Sequence, residues 1–429
     1  MSTQRVIRIA IVDDVDDPDL VAAGSRQVIR TLVEGLDPAR FQVVVILRGL
    51  GRFAELLRAA RAGTELVDNP TPCFGSMYRY QGASVVPLPH VFALNLARLP
   101  VVIAGYTRLF RQLRIDVAYL ANPIGHVSAG TGAWLTGIPA VWHLQGPPQQ
   151  RQRVKLLLPV YRAWRGVTGG RVVAISRQVA ERYGGEPSGR PQVILNGVDT
   201  SRFTPGSPDP ARFDALGLQP GRHPIVGLVG YISRYKRMDL LPRVVAGVLH
   251  RCPEARFLVC GDAVDGPTVT GSGHDGEFPR APVARKEMVR TIYRSLREAG
   301  HADRVVFAGP RDDLPELYRG MDVLAHLSAV EGFGLVLAEA MSAGRPVVAF
   351  RSAAGPRELV DDGVTGYLVP DPDDLETFAE RIAGLLNDPA SRDRMGSAAR
   401  RRVEERFSRK RFISEFSTLF EELAESSGA

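Results

Sequence analysis

Two carboxylates, Glu331 and Glu339, stand eight residues apart in EGFGLVLAEAMSAGRPVVAF, residues 331–350. Gly332 and Gly334 flank Phe333 in a turn that opens a helical run, and a buried-strand pattern, PVVAF, follows directly. Doubly wound sheets build ligand crevices this way: loop backbone and a helix N-terminus face the ligand, with acids at fixed depth. A carboxylate has acceptors only, so it can take the protons of two vicinal hydroxyls. Further polar groups close other apolar runs: His143 in AVWHLQG and Lys236 in GYISRYKR, with Arg234 and Arg237 beside it. Strand ends carrying polar groups are where such sheets bind ligands.

The elements that must position these residues alternate along the chain. RIAIVDD (8–14) reads as a buried strand ending in acids. A loop and a helix come next, with Gly24 or Ser25 near the helix start and Val28, Leu32 and Leu36 at four-residue spacing. FQVVVILRG (41–49) completes a βαβ opening without a GxGxxG fingerprint, so a dinucleotide-binding reading is weak. IDVAYLANP, IPAVWHLQGPP and VVAIS add strands, with Ser176 as an N-cap, and VILNGVDTSRFTP (193–205) ends the first half. TPGSPDPAR (204–212) reads as a linker. The pattern restarts at HPIVGLVG and continues through RFLVCGD, DRVVFAGP, MDVLAHLS, RPVVAFR and TGYLVP. A polar, Gly-rich surface loop is expected over 263–284. The last helix, 409–425, carries Phe412, Phe416 and Phe420 at four-residue spacing and must pack somewhere. Strand–helix alternation in both halves predicts an α/β fold with two parallel sheets.

The chain has 429 residues, which predicts two domains of about 200 residues each. Its formal charge is +7, which suits an anionic small molecule, an anionic membrane or nucleic acid. Neither zinc-finger spacing nor a long basic tail supports nucleic acid. Cys73, Cys252 and Cys260 form no metal spacing and no disulfide framework, which points to a reducing cytoplasm. The N-terminus runs straight into a strand, so no signal peptide is expected. The apolar stretch 83–106 is interrupted by prolines, His90, Asn95 and Arg98, which argues against a membrane span.

The ordered set ILNGVDTSRF, LVCGD, VVFAG, LPELYRGMDVLAHLSAVEGFGLVLAEAMSAGRPVVAF, GPRELVDDG and TGYLVP resembles the retaining glycosyltransferases of family 4, from about residue 8 to 405. The resemblance implies a GT-B fold: two facing Rossmann-like parallel-sheet domains with a deep interdomain cleft. It implies an N-terminal acceptor-binding domain over 1–205, a nucleotide-sugar domain over 206–405, and a C-terminal helix, 406–429, packing back across the junction. In this family the second acid, here Glu339, accepts from the nucleotide ribose hydroxyls. The first, Glu331, approaches the donor-sugar hydroxyls, and Gly332, Phe333 and Gly334 bring backbone to the sugar or phosphate. Lys236 matches a diphosphate-holding lysine. Tyr231 stands where the family has an arginine and Arg237 where it has a glycine, so Arg234 or Arg237 would supply the second cation. The resemblance places His143 toward the donor sugar and Gly24 near the phosphates. His126 is a weaker candidate for acceptor contact, and the acidic turn Asp16, Asp17 and Asp19 a candidate for a polyhydroxylated or cationic acceptor. Asn196, Gly197, Val198 and Asp199 read as structural, and Ser328 and Pro356 carry no catalytic assignment.

The function implied is a retaining transfer by front-face attack, with nucleotide diphosphate sugar as donor, UDP-linked first and GDP-mannose next. No cofactor and no metal are expected. Partners would be the donor and a small-molecule, glycan or lipid-linked hydroxyl acceptor, in the cytoplasm or at the inner face of an anionic membrane. The stretches 83–106 and 151–167 could form such a membrane surface, or be buried helices with a solvated basic edge. The alternatives are another enzyme on the same architecture, such as a sugar-phosphate synthase, and a non-catalytic nucleotide-sugar or glycan-binding protein.

Overall fold

The structure is a computed structural model that describes residues 5–15, 24–69, 89–146, 162–183, 191–261 and 283–427. It forms two units, Met1–Gly197 with Arg409–Ala429, and Val198–Ser408. The expected loop over 263–284 lies almost wholly outside the described residues, as do Asp16, Asp17 and Asp19.

Among the described residues the first unit holds a seven-stranded parallel sheet in the order β3-β2-β1-β4-β5-β6-β7. The strands are β1 Ile7–Asp13, β2 Phe41–Leu47, β3 Glu65–Asp68, β4 Val117–Leu120, β5 Ala140–Leu144, β6 Arg171–Ala174 and β7 Gln192–Val193. A parallel sheet covered on both faces needs near-continuous apolar strands, which is why IRIAIVD and FQVVVIL are almost wholly buried. The helix Gly24–Gly35 lays Val28, Ile29, Leu32 and Val33 into this core. The C-terminal helix Arg409–Ser427 buries Phe412, Phe416, Leu419 and Phe420 in the same cluster. Phe416 meets the Tyr119 ring edge-on at 5.7 Å and the His143 ring at 5.4 Å. Successive residues of a strand face opposite sides, so Trp142 points the other way, against Gly130 of the helix Pro123–Thr136.

The second unit holds a six-stranded parallel sheet in the order β10-β9-β8-β11-β12-β13. Its strands are β8 Ile225–Val229, β9 Arg256–Cys260, β10 Val305–Gly309, β11 Val323–His326, β12 Val347–Phe350 and β13 Gly366–Val369. The segment read as a linker, 204–212, belongs to this unit. Arg319 donates to the Thr204 carbonyl at 3.1 Å and to its hydroxyl at 2.8 Å, and Asp209 caps the helix Pro210–Asp214. In both sheets strand order reverses beside the first strand, between β1 and β4 and between β8 and β11. Crevices at such reversals, outside the strands' carboxyl ends, are where ligands bind.

Candidate functional site

In the second unit Lys236 and Glu331 meet at the β8–β11 reversal, and the glycine turn leads from Glu331 into the helix that carries Glu339. After β8 the chain makes a single 3-10 turn, Arg234–Lys236, capped by Ser233, whose Oγ accepts from the Lys236 N–H at 3.3 Å. That turn aims Lys236 Nζ at Glu331 Oε2, and the two are in ion-pair contact. β11 ends at His326, whose Nε2 lies 3.4 Å from the same Glu331 oxygen. Ser328 Oγ donates to the Val330 carbonyl at 3.0 Å, shaping the loop just before Glu331.

Two glycines make this loop buildable. Gly334 has φ +88° as it caps the helix Leu335–Ser342, a conformation costly for any residue with a Cβ. A Cβ on Gly355 would fall 1.9 Å from the Phe333 carbonyl oxygen, while the Gly355 N–H donates to the Glu331 carbonyl at 3.0 Å. Phe333 is buried against the Phe407 ring at 5.9 Å, so its backbone faces the loop while its side chain anchors it.

The two glutamates occupy opposite electrostatic environments. Burial pushes the Glu331 carboxyl up, but the His326 contact and the Lys236 charge outweigh it and hold the group down at about 2. Among the described residues Glu339 has no such cation in ion-pair contact. Burial raises it to about 6, only partly offset by the Tyr318 hydroxyl, which donates to Oε2 at 3.0 Å, and by the Arg202 charge. Burial likewise lowers His326. Glu331 is therefore a fixed anion at neutral pH, and Glu339 a carboxyl that titrates close to it.

Of the cations offered in place of Tyr231, Arg237 is committed elsewhere. Its guanidinium donates to the Pro372 carbonyl and to Asp373 Oδ1, each at 2.6 Å. Arg234 is exposed on the same turn as Lys236. His326 and Tyr318 escaped the sequence reading, because what marks them is contact with Glu331 and Glu339, which the fold brings about.

In the first unit β1 delivers Asp13 and Asp14 to the β1–β4 reversal. Asp13 accepts from Arg26 Nε at 2.7 Å, a wholly buried ion pair that ties the first turn of the helix Gly24–Gly35 to the strand end. Asn122 also donates to Asp13, at 3.3 Å. Asp14 accepts from Arg48 and Ser128, both at 3.2 Å, and from the Tyr106 hydroxyl. Buried pairs of this kind add little net stability but fix geometry. Gly24 is exposed at the helix start, and a Cβ there would meet nothing within 4 Å.

His143 sits at the end of β5 with no exposed surface. Nδ1 takes the Tyr119 hydroxyl and the Gln145 amide, the latter at 3.1 Å. Nδ1 is thus the acceptor and Nε2 carries the hydrogen, without a hydrogen-bond partner among the described residues. Burial lowers this imidazole to about 3, so it is neutral and no proton store at physiological pH. His126 is a core residue, stacked on Trp142 at 5.2 Å, with Nε2 3.2 Å from the Leu120 carbonyl. Among the described residues no group of three or more His, Cys, Asp or Glu could hold a metal ion. No described helix is long and apolar enough to cross a membrane.

Comparison with known proteins places this architecture. Residues 22–202 match the family described as Glycosyltransferase Family 4, and residues 214–402 match Glycosyl transferases group 1. A D-inositol 3-phosphate glycosyltransferase of Kribbella flavida is 34% identical over 224 residues, which is 52% of this chain and 49% of that protein. One of Salinispora arenicola is 36% identical over 231 residues, 52% of this chain and 47% of that protein. The match thus spans about half the length of these curated relatives. Anabaena HepE, solved with UDP and glucose, superposes with TM-score 0.73 at 22% identity, covering 97% of this chain and 99% of that one. Sucrose-phosphate synthase of Thermosynechococcus elongatus gives TM-score 0.73 at 22% identity, covering 98% and 100%. Two Rossmann-like parallel-sheet units, both family signatures and GT-B neighbours along nearly the whole length establish that the chain belongs to glycosyltransferase family 4.

Proposed function

We propose that this protein moves a glycosyl group from a nucleoside diphosphate sugar to a hydroxyl acceptor with retention at the anomeric carbon. The observation that carries this is the convergence of Lys236, Glu331 and the Gly332–Gly334 turn at the β8–β11 reversal, with Glu339 in the helix beyond the turn. Lys236 neutralises the diphosphate, aided by exposed Arg234 and the N–H groups of the glycine turn. Glu331, a fixed anion, accepts from sugar hydroxyls, and Glu339 accepts from ribose hydroxyls. The ligand-free ion pair between Lys236 and Glu331 gives each group a partner until diphosphate and sugar replace it.

In the front-face step the acceptor oxygen forms the new bond to the anomeric carbon. The bond from that carbon to the diphosphate oxygen breaks, and its electron pair stays on the diphosphate. The acceptor proton passes to that departing oxygen. No carboxylate is assigned as a nucleophile, and the charge that develops on the leaving group is met by Lys236 and Arg234. His143, neutral and buried, has the role of a hydrogen-bond donor through Nε2, and Gly24 that of close backbone approach. A metal ion has no assigned part in this scheme. The donor is UDP-linked by first preference and GDP-mannose next. The acceptor is a small-molecule, glycan or lipid-linked hydroxyl, met in the cytoplasm or at the inner face of the membrane.

The test is a screen of UDP-, GDP-, TDP- and ADP-sugars with the full chain, monitoring free nucleotide and bound donor by mass spectrometry. Glu339→Ala runs alongside. Release or binding that depends on Glu339 supports the reading and names the donor; a chain that binds none of them overturns it.

A further inference from the structure

Residues 69–180 hold twelve Lys and Arg and a single carboxylate, Asp116, in a chain whose overall formal charge is only +7. The rest of the chain is therefore net acidic, and the positive charge is gathered on one segment of the first unit. Asp116 does not dilute it, because it is paired with Arg5 and accepts from the Arg8 amide at 2.8 Å.

The same segment exposes large apolar side chains on the sheet side opposite the C-terminal helix. Trp134 is 48% exposed and Leu135 49%, at the end of the helix Pro123–Thr136. Trp164 is 38% exposed and Val167 68%, in the helical turn 162–168. These form one surface. Trp164 Nε1 donates to Thr131 Oγ1 at 3.0 Å, and Trp134 and Leu135 lie three and four residues beyond Thr131, on its face of the helix. The helix Pro89–Gln112 packs beside them, with Tyr106 against Gly132. It adds Val101, 62% exposed, in a stripe with exposed Arg98 and Arg108.

We propose that this face docks on an anionic lipid bilayer. Tryptophans with apolar bodies and polar N–H tips partition to the headgroup boundary, and flanking arginines meet anionic headgroups. A second copy is disfavoured as the occupant, because the same basic face would meet itself. A nucleic acid would be met by the charges but would leave Leu135, Val101 and Val167 unpaired. The docking does not depend on the transferase reading, and vesicle binding and donor turnover fail separately.

The experiment is co-sedimentation of the full chain with phosphatidylglycerol–phosphatidylcholine vesicles and with pure phosphatidylcholine vesicles, with tryptophan emission as a second readout. Trp134 and Trp164 should shift blue on anionic vesicles, while buried Trp142 stays silent. Added salt should release the protein. Trp134→Ser/Leu135→Ser and Arg98→Gln/Arg108→Gln should each weaken anionic-vesicle binding by about tenfold or more while leaving Glu339-dependent donor binding and the melting temperature unchanged. Equal partition to both vesicle types, no partition, binding unchanged in both variants, or a dimer that the Trp134→Ser/Leu135→Ser variant disperses would overturn the proposal.

Discussion

Donor affinity should weaken about tenfold between pH 7 and pH 5, and Glu339→Gln should abolish that dependence. Burial lifts the Glu339 carboxyl to about 6, against the Tyr318 hydroxyl and the Arg202 charge. Only the ionised form offers acceptors to both ribose hydroxyls. The apparent dissociation constant then scales with one plus the ratio of protonated to ionised carboxyl, a factor of about 1.1 at pH 7 and about 11 at pH 5. The neighbouring groups do not mask this. Glu331 is held at about 2 by His326 and Lys236 despite its burial, and His143 is lowered to about 3 by burial. The diphosphate of a sugar nucleotide is a diester, ionised throughout this range. Titration calorimetry with the intact donor at constant ionic strength measures the effect. At pH 6 binding should also release about half a proton, read from buffers of different ionisation enthalpy. A flat dissociation constant in the wild type, or the same slope in Glu339→Gln, would refute the assignment of Glu339 to the ribose.

Three further expectations concern the scaffold. Lys236→Met leaves a mostly buried carboxylate without its cation and should cost about 3 kcal/mol, the lower end for a broken buried pair, at pH 7 in urea unfolding monitored by circular dichroism. Adding Glu331→Gln should recover most of that loss, and strictly additive effects would show the pair to be uncoupled. Because Glu331 is depressed from 4.5 to about 2, its stabilisation should be complete above pH 4.5 and fade as pH falls through about 2. Gly355→Ala sets a Cβ 1.9 Å from the Phe333 carbonyl and should lower both the melting temperature and donor affinity, whereas Gly384→Ala, with nothing within 4 Å, should do neither. Phe416→Ala should cost about 3–5 kcal/mol. Since all three tryptophans, Trp134, Trp142 and Trp164, lie in the first unit, their emission should report that loss, and an unshifted transition would contradict the packing of the C-terminal helix.

How far each feature was legible in the sequence depends on how it is encoded. Strands buried on both faces write themselves as apolar runs, so IRIAIVD, FQVVVIL and VVFAG were legible, and the Val28, Leu32 and Leu36 spacing marked the first helix. β3, the edge strand ELVD, escaped because it is only half-buried and carries two acids in four residues. In 83–106 the prolines, His90, Asn95 and Arg98 argued against a membrane span; Pro100 lies inside the helix Pro89–Gln112, and no described helix is long and apolar enough to cross a membrane. The positions of Glu331 and Glu339 were legible from the glycine turn between them, but their opposite proton affinities were not. Those depend on burial, which raises Glu339 against the Tyr318 hydroxyl, and at Glu331 on His326 and on Lys236, 95 residues before it, which outweigh burial. The partners of Arg237 were likewise set at a distance, since its guanidinium donates to the Pro372 carbonyl and to Asp373. His143 was legible as a polar residue ending a strand, and its neutrality comes from burial beneath Phe416 of the C-terminal helix. Local spacing thus says where a titratable group stands, while partners folded in from other elements say which charge it carries. For that reason Glu331 and Glu339, identical as residues and placed by one motif, should respond to pH in opposite ways: ionising Glu331 stabilises the folded chain, whereas ionising buried Glu339 destabilises it until the ribose hydroxyls of a bound donor are there to donate to it.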